Sequence, residues 1–374
     1  MARRILYLVT EDWYFLSHRL PMARAAMRAG YEVHVATRLV GGKAAIEAEG
    51  FVPHALSWSR GSLSPLDSLS AVVELRRLLA RVEPDILHNI ALKPVLLGTA
   101  ASLGRTKTAV VNSLTGLGTL FIGEARVSGL ARKAVHFALK RLLRRKRSRI
   151  VVQNPDDRAF VLGLGVAPET VVLIPGSGVE IEKLTPLPEP PPPVTAAYVG
   201  RMLADKGVLT LIEAFSRLGK QGVSLQLLLA GDCDRENPGS LAPEQLREFA
   251  VLYGIHWLGH VADVREVWER AHFAVLASRR EGLPKSLLEA ASCGRAMVAT
   301  DAPGCREIAI AGETALTVPV DDPEALAGAM ARLANDAAMR ARLGANARAL
   351  VERKFSAEAI GRQTVALYNS LIGS

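Results

Sequence analysis

Phe273-Ala-Val-Leu-Ala-Ser-Arg-Arg-Glu281-Gly-Leu-Pro-Lys-Ser-Leu-Leu-Glu289 decides how this chain is read. The apolar run Phe273 to Ala277 predicts a buried strand, and the amphipathic pattern that continues to Cys293 predicts a helix. Between them lies a loop that ends at a helix N-terminus. Pro284 suits the first turn of that helix, and the backbone N–H groups around Gly282 to Ser286 are placed to face an anion such as a diphosphate. Glu281 stands before the helix mouth. Glu289 lies five residues beyond Pro284, about 7 Å along a helix axis at roughly 1.5 Å per residue, so the two carboxylates could grip opposite ends of one ligand. Taken alone, Glu281 could equally complement the helix dipole and Glu289 could be a solvated surface residue.

A second stretch repeats the pattern. Thr195-Ala-Ala-Tyr-Val-Gly200 predicts another buried strand, followed by Arg201, a short loop with Asp205-Lys206-Gly207, and an apolar-periodic helix through Leu218. Two cations thus stand at the C-terminal end of a strand, where open α/β sheets bind ligands. Arg offers a planar fork and Lys a point charge, a counter-charge for a diphosphate that requires no metal.

Four ordered segments now carry a resemblance. Val199-Gly-Arg-Met-Leu-Ala-Asp-Lys-Gly207, Leu229-Ala-Gly-Asp232, Leu258-Gly-His-Val261 and Ser278 to Glu289 resemble, in order and spacing, the donor half of family-4 retaining glycosyltransferases of the GT-B fold. Asp234-Arg-Glu-Asn-Pro238 and Ala302-Pro-Gly-Cys-Arg-Glu-Ile308 are most similar to bacterial enzymes that add an N-acetylhexosamine to an undecaprenyl-diphosphate-linked sugar. The resemblance implies an α/β protein of two Rossmann-like doubly wound domains facing a central cleft. It also implies a nucleotide-sugar donor, UDP-linked, and retention of anomeric configuration. Arg201, Lys206 and Glu281 become the candidate catalytic residues, and Gly200, Gly259, Val261, Gly282, Leu283, Pro284 and Glu289 join them as candidate donor contacts. Asp232-Cys-Asp234 has the form of a metal-binding Asp-x-Asp, but Arg201 and Lys206 make a metal unnecessary, so neither metal nor cofactor is expected.

The remaining chain fits this frame. A length of 374 residues suggests two domains, and a 49% apolar fraction with few aromatics suits an α/β protein. Cys233, Cys293 and Cys305 form neither a disulfide framework nor a metal-ligand spacing, which suits a reducing cytoplasm. No apolar run approaches the roughly 18 residues of a membrane span, and Ile5-Leu-Tyr-Leu-Val9 is too short for a signal segment. The net charge of +9 is uneven: residues 1–180 hold 25 Lys and Arg against 14 Asp and Glu, and the remainder 21 against 23. Its densest part is Arg132-Lys133 and Lys140 to Arg149, preceded by an apolar periodicity. As a 132–149 basic helix this predicts attraction to an anionic membrane surface; a plain solvated helix is the other reading. A basic nucleic-acid-binding protein would share the high pI, but the second half leans acidic and no recognition helix or stacking platform is present.

In the first half, Arg4 to Thr10, Leu20 to Ala29 and Tyr31 to Thr37 predict a βαβ unit. The intervening segment Glu11 to Arg19 reads as a loop without Gly-x-Gly-x-x-Gly, which argues against a dehydrogenase. Trp13, Tyr14, His18 and Arg19 within it suit a bulky, phosphate-bearing acceptor, and His18 equally suits a structural role. Asp85-Ile-Leu-His-Asn89 ends a strand at His88, and Ala109 to Gly118 leads a strand into a glycine-bearing loop with Thr115 and Gly116. His18, Arg19, His88, Thr115 and Gly116 are therefore candidate acceptor contacts. Thr115 stands where the resembled subfamily carries an acidic residue, which leaves no obvious general base there. Leu187-Pro-Glu-Pro-Pro-Pro-Pro193 predicts a stiff connector. The expected division is 1–184 as acceptor domain, 185–194 as linker, 195–355 as donor domain, and 356–374 as a final helix crossing back to the first domain, which the resemblance implies. A nucleotide-sugar 2-epimerase shares this architecture but has no use for a lipid acceptor. The expected enzyme transfers sugar to a lipid-linked glycan, with no nucleic-acid partner, at the inner face of the cell membrane.

Overall fold

The computed structural model of the chain describes residues 2–58, 64–115 and 129–373. The chain divides into two compact units, residues 1–178 with 357–374 and residues 179–356. In the first, the strands are β1 (Arg3–Glu11), β2 (Tyr31–Arg38), β3 (Val52–Ala55), β4 (Ile86–Ile90), β5 (Ala109–Ser113), β6 (Ser148–Val152) and β7 (Val171–Leu173). They form one parallel sheet in the order β3-β2-β1-β4-β5-β6-β7. The second unit holds β8 (Thr195–Val199), β9 (Gln226–Ala230), β10 (His256–Gly259), β11 (Phe273–Leu276), β12 (Ala296–Thr300) and β13 (Ala315–Val318), parallel in the order β10-β9-β8-β11-β12-β13. Central parallel strands are covered by helices on both faces, so they are buried along their length instead of alternating. Ile86–Ile90, Ala109–Ser113 and Ala296–Thr300 are indeed buried at every position.

Each sheet reverses its winding once. In the first the reversal lies between β1 and β4, in the second between β8 and β11. Crevices for ligands open at such points, beyond the C-terminal ends of the strands. The helix Ala357–Ile372 belongs to the first unit, where Gly361 lies so close to Ala25 of the helix Leu20–Arg28 that an added Cβ would come within 2.8 Å of its methyl group. Tyr31 then donates to Asn369 at 2.7 Å.

The proline-rich stretch lies in the second unit. Prolines leave carbonyls without offering N–H groups in return, and buried arginines answer them. Arg295 donates to the Leu187 and Pro188 carbonyls at 3.2 and 2.8 Å. Arg340 pairs with Glu189 through two nitrogens, at 2.5 and 3.1 Å.

Three local expectations are corrected. Glu11 to Arg19 is no plain loop: β1 runs through Glu11, and Asp12–His18 is a short helix. The buried Asp12 carboxylate accepts the N–H groups of Val40 and Gly42 at 2.6 and 2.8 Å. His88 does not end its strand, since β4 continues to Ile90. Nor is the basic run a single helix over 132–149. The helix Gly129–Leu142 stops, Arg147 takes a positive φ of 51°, and β6 begins at Ser148. Arg145 is spent on the fold itself, donating to the carbonyls of Ser102, Arg105 and Thr108 and to the Ser102 hydroxyl.

Candidate active site

At the reversal point of the second sheet, β8 ends and Gly200 turns the chain. The backbones at the ends of β8, β9 and β10 are pressed together there. A Cβ on Gly231 would lie 2.0 Å from the Gly200 carbonyl oxygen, and the Gly231 N–H donates to the Gly259 carbonyl at 2.7 Å. Arg201 follows, with its guanidinium 2.6 Å from the Asp234 carboxylate. Asp234 is itself fixed by the Ser240 hydroxyl, which accepts its N–H at 2.8 Å.

Lys206 is set by a tighter device. Ala204–Lys206 make a single 3-10 turn, and Gly207 adopts φ +69° to start the helix Val208–Lys220. That left-handed conformation favours glycine, and space demands it as well: a Cβ would sit 1.9 Å from the Ala277 carbonyl oxygen. The Asp205 carbonyl receives the Arg279 N–H at 3.1 Å and the Ser278 hydroxyl at 3.3 Å. The turn after β8 is thereby sewn to the loop after β11. The Lys206 ammonium consequently meets both Glu281 oxygens at 2.5 Å.

Glu281 is held from a third side. Its N–H donates to the Pro303 carbonyl at 2.9 Å, and a Cβ on Gly304 would approach the Glu281 carbonyl oxygen to 2.3 Å. The helix beyond spans Lys285–Ser292, so Pro284 is its N-cap (φ −71°, ψ 108°) and not a residue of its first turn, as the sequence suggests. The turn begins one residue later because the Pro284 carbonyl accepts from both Leu287 and Leu288. Gly282 and Pro284 are buried and Leu283 half-buried. Glu289 is not a solvated residue: it is 7% exposed and paired with Lys285 at 2.8 Å. Val261 packs half-buried against the core of the unit. Cys305 lies beside this loop with its thiol pushed far up by burial and the nearby Glu281. Among the described residues no group of three or more His, Cys, Asp or Glu is arranged to hold a metal.

In the first unit the candidate acceptor residues fall at the other reversal point. Arg19 is buried and donates to the Tyr14 hydroxyl at 3.2 Å, and Tyr14 donates to Thr115 at 3.2 Å. His18 stacks on the Tyr14 ring at a centroid distance of 4.5 Å and bonds Ser17 at 2.7 Å. His88 is buried with both nitrogens engaged, Nδ1 with Tyr368 and Nε2 with Ser113, each at 2.6 Å. Burial, reinforced by Arg19, lowers its pKa to about 3, so the ring is neutral. Arg19, His88 and Thr115 line one small cavity; Gly116 lies outside the described residues. Sequence reasoning missed Asp234 as the partner of Arg201, and it missed Ser113, Gln153 and Tyr368. A tyrosine on an apolar-periodic helix looks like core, and only the fold brings it to His88.

The family described as Glycosyl transferases group 1 matches residues 193–336, and that described as Glycosyl transferase 4-like matches residues 4–154. Both families are of glycosyltransferases and together they match most of the chain, which is a glycosyltransferase. This glycosyltransferase is 23% identical to the capsular polysaccharide biosynthesis glycosyltransferase CapM of Staphylococcus aureus, over 99% of this chain and 98% of that one. It is 26% identical to the N,N'-diacetylbacillosaminyl-diphospho-undecaprenol alpha-1,3-N-acetylgalactosaminyltransferase of Campylobacter jejuni, over 84% of this chain and 85% of that one. Among solved structures it resembles Anabaena Alr3699/HepE in complex with UDP and glucose, with a TM-score of 0.80 at 18% identity, covering 99% of this chain and all of that one. The sucrose-phosphate synthase from Thermosynechococcus elongatus matches with a TM-score of 0.82 at 21% identity, over 99% of both chains. The fold of this glycosyltransferase is accordingly GT-B, as its sequence motifs imply.

Proposed function

We propose that this glycosyltransferase moves a sugar, an N-acetylhexosamine, from a UDP-linked donor to a lipid-diphosphate-linked glycan in surface polysaccharide assembly, with retention of configuration. The observation that carries the reading is that Arg201, paired with Asp234, and Lys206, paired with Glu281, follow the two strands of the reversal point of the second sheet, before the helix Lys285–Ser292. Supporting it, the similar Campylobacter enzyme is named for an undecaprenol-linked acceptor, and the similar Anabaena structure holds UDP and glucose.

In this reading the bond from the anomeric carbon to the donor diphosphate breaks, and the electron pair leaves with the phosphate oxygen. Arg201, Lys206 and the helix N-terminus neutralise that growing charge. The acceptor hydroxyl attacks from the face being vacated and passes its proton to the departing phosphate. Glu281, anchored through its own N–H, holds the sugar and keeps Lys206 in place. The cations make a metal unnecessary. His18, Arg19, His88 and Thr115 belong to the acceptor side, with His88 acting through Ser113 because both its nitrogens are occupied. An acceptor tail that stays in the bilayer brings the basic surface of the first unit to anionic lipid.

The test is transfer of radiolabelled sugar from UDP-N-acetylhexosamines to a lipid-diphosphate glycan. Arg201→Ala and Lys206→Ala should each lower turnover about a hundredfold at saturating donor, the usual effect of removing one group aimed at a developing oxyanion. Near-parental turnover in both variants would dismiss the leaving-group role, and loss of transfer in excess EDTA would dismiss metal independence. Conversion of the donor into its 2-epimeric nucleotide sugar without an acceptor would instead identify an epimerase.

A further inference from the structure

The cavity bordered by Arg19, His88, Ser113, Thr115, Gln153 and Thr364 in the first unit has a charge problem that the fold leaves unsolved. Its volume is about 10 Å³, the space of one oxygen-sized group. Arg19 is only 3% exposed, its Nε has no hydrogen-bond partner, and among the described residues no carboxylate pairs with it. A buried guanidinium without a counter-charge is unfavourable until an anion reaches it.

The opposite wall is poised to donate as well. Tyr7, Tyr368, His88 and Ser113 form one buried chain: Tyr7 to Tyr368 at 3.0 Å, Tyr368 to His88 Nδ1 and His88 Nε2 to Ser113 at 2.6 Å each. Tyr7 has no other side-chain hydrogen-bond partner. If hydrogens ran from Ser113 towards Tyr7, the last hydroxyl hydrogen would be stranded without an acceptor in the core. Running from Tyr7 towards Ser113, every hydrogen finds an acceptor, and the Ser113 hydroxyl hydrogen is left for the cavity. Thr115 accepts from Tyr14 and so keeps its own hydrogen to give. The walls thus offer a cation, hydroxyl donors and the Gln153 amide, with the neutral His88 adding no acceptor and no carboxylate in the lining.

We propose that this cavity is an oxyanion subsite, in which Arg19 and Ser113 bind one charged oxygen of a phosphate or carboxylate on the acceptor. It rests on the reading of this chain as a transferase whose acceptor meets the first unit. Tyr368 is a positioning residue: it orients the His88 ring and, through it, the Ser113 hydroxyl.

The test is calorimetric titration with methyl phosphate and with acetate, in the full chain carrying Arg201→Ala and Lys206→Ala so that donor-site binding is removed. Saturable binding at one site per chain is expected, more than tenfold weaker with Arg19→Gln and about fivefold weaker with Ser113→Ala, each variant first checked for its native circular dichroism. Preference for methyl phosphate assigns the anion to a phosphate, and preference for acetate to a sugar acid. Absence of binding of either probe at 50 mM, or equal binding in parent, Arg19→Gln and Ser113→Ala, overturns the subsite. The transfer assay separates the two readings. Anion binding at Arg19, together with an otherwise unaltered chain (Arg201 and Lys206 intact) that transfers no sugar, would sink the acceptor reading and leave the subsite, whereas transfer by that chain with anion binding unchanged by Arg19→Gln and Ser113→Ala would sink the subsite alone.

Discussion

Gly207→Ala tests whether one backbone contact sets the position of Lys206. Alanine at φ +69° costs about 1–2 kcal/mol from left-handed strain alone. The new methyl would also lie 1.9 Å from the carbonyl oxygen of Ala277, the residue that follows β11. Relieving the overlap moves the turn by about 1 Å and stretches the two hydrogen bonds received by the Asp205 carbonyl, each worth about 1 kcal/mol. The sum is about 3–4 kcal/mol, or a fall of about 10 °C in the melting temperature of a unit this size. Lys206 is carried along, and a displacement of about 1 Å at a reacting centre lowers turnover about a hundredfold. Gly222→Ala is the control: its φ is +74° but no atom lies within 4 Å of the added methyl, so only the conformational penalty applies. Thermal unfolding followed by the fluorescence of Trp257 and Trp268, paired with sugar transfer, reads both effects. If Gly207→Ala melts with Gly222→Ala and turns over like the parent, the contact does not position Lys206.

Three other outcomes are expected. Asp234→Ala removes the carboxylate that competes for Arg201, so calorimetry should show UDP binding up to about fivefold tighter, in line with roughly 1 kcal/mol for a partly exposed pair; weaker binding would mean that Asp234 holds Arg201 ready. The His88 pKa is about 3 in the fold against 6.5 in an open chain, because burial, with Arg19 beside it, opposes its charging. The unfolded chain therefore takes up a proton that the folded one refuses, and stability falls as pH drops from 6.5 towards 3, with a slope up to about 1.4 kcal/mol per pH unit. His88→Asn should flatten urea-unfolding stability between pH 6 and 4 by about one proton, although His54, lowered to about 4, retains a slope of the same sign; an unchanged slope would show that His88 is not the group. Lys140, Arg141 and Lys146 are exposed, and changing all three to Ser should abolish sedimentation with anionic liposomes, each charge being worth about 1 kcal/mol; parental sedimentation would remove the membrane from the reading.

The strands were legible because parallel sheets write themselves as uninterrupted apolar runs, as Phe273–Leu276 and Thr195–Val199 do. A helix start can be read from sequence where a side chain caps it, as Asp322 does by accepting the Ala325 N–H at 2.9 Å, with Pro323 in the first turn. The basic run misled because charge density says nothing about carbonyls elsewhere. Arg145 and Arg147 read as a solvated face until Ser102, Thr108 and Leu371 are folded beneath them. Asp234 was hidden for the same reason, since its partner lies 33 residues away and only the adjacency of β8 and β9 brings them together.

Local charge balance distinguishes the two carboxylates of the proposed donor site. Arg201 and Lys206 bring two positive charges, Asp234 and Glu281 two negative ones, so the ligand-free site is close to neutral apart from the helix N-terminus, worth about half a charge. A diphosphate gains little from a neutral site, so one pair must open. Lys206 and Glu281 are the more enclosed, with side chains 26% and 10% exposed, and both are anchored through backbone contacts at Gly207 and Gly304 that leave no room to move. Arg201 is 39% exposed, on a long side chain beyond the glycine turn. Screening makes its pair the weaker one, and exchanging Asp234 for phosphate oxygens loses little. On the proposed reading, Arg201 is thus the cation expected to move when the donor arrives, and Lys206 the one already in place.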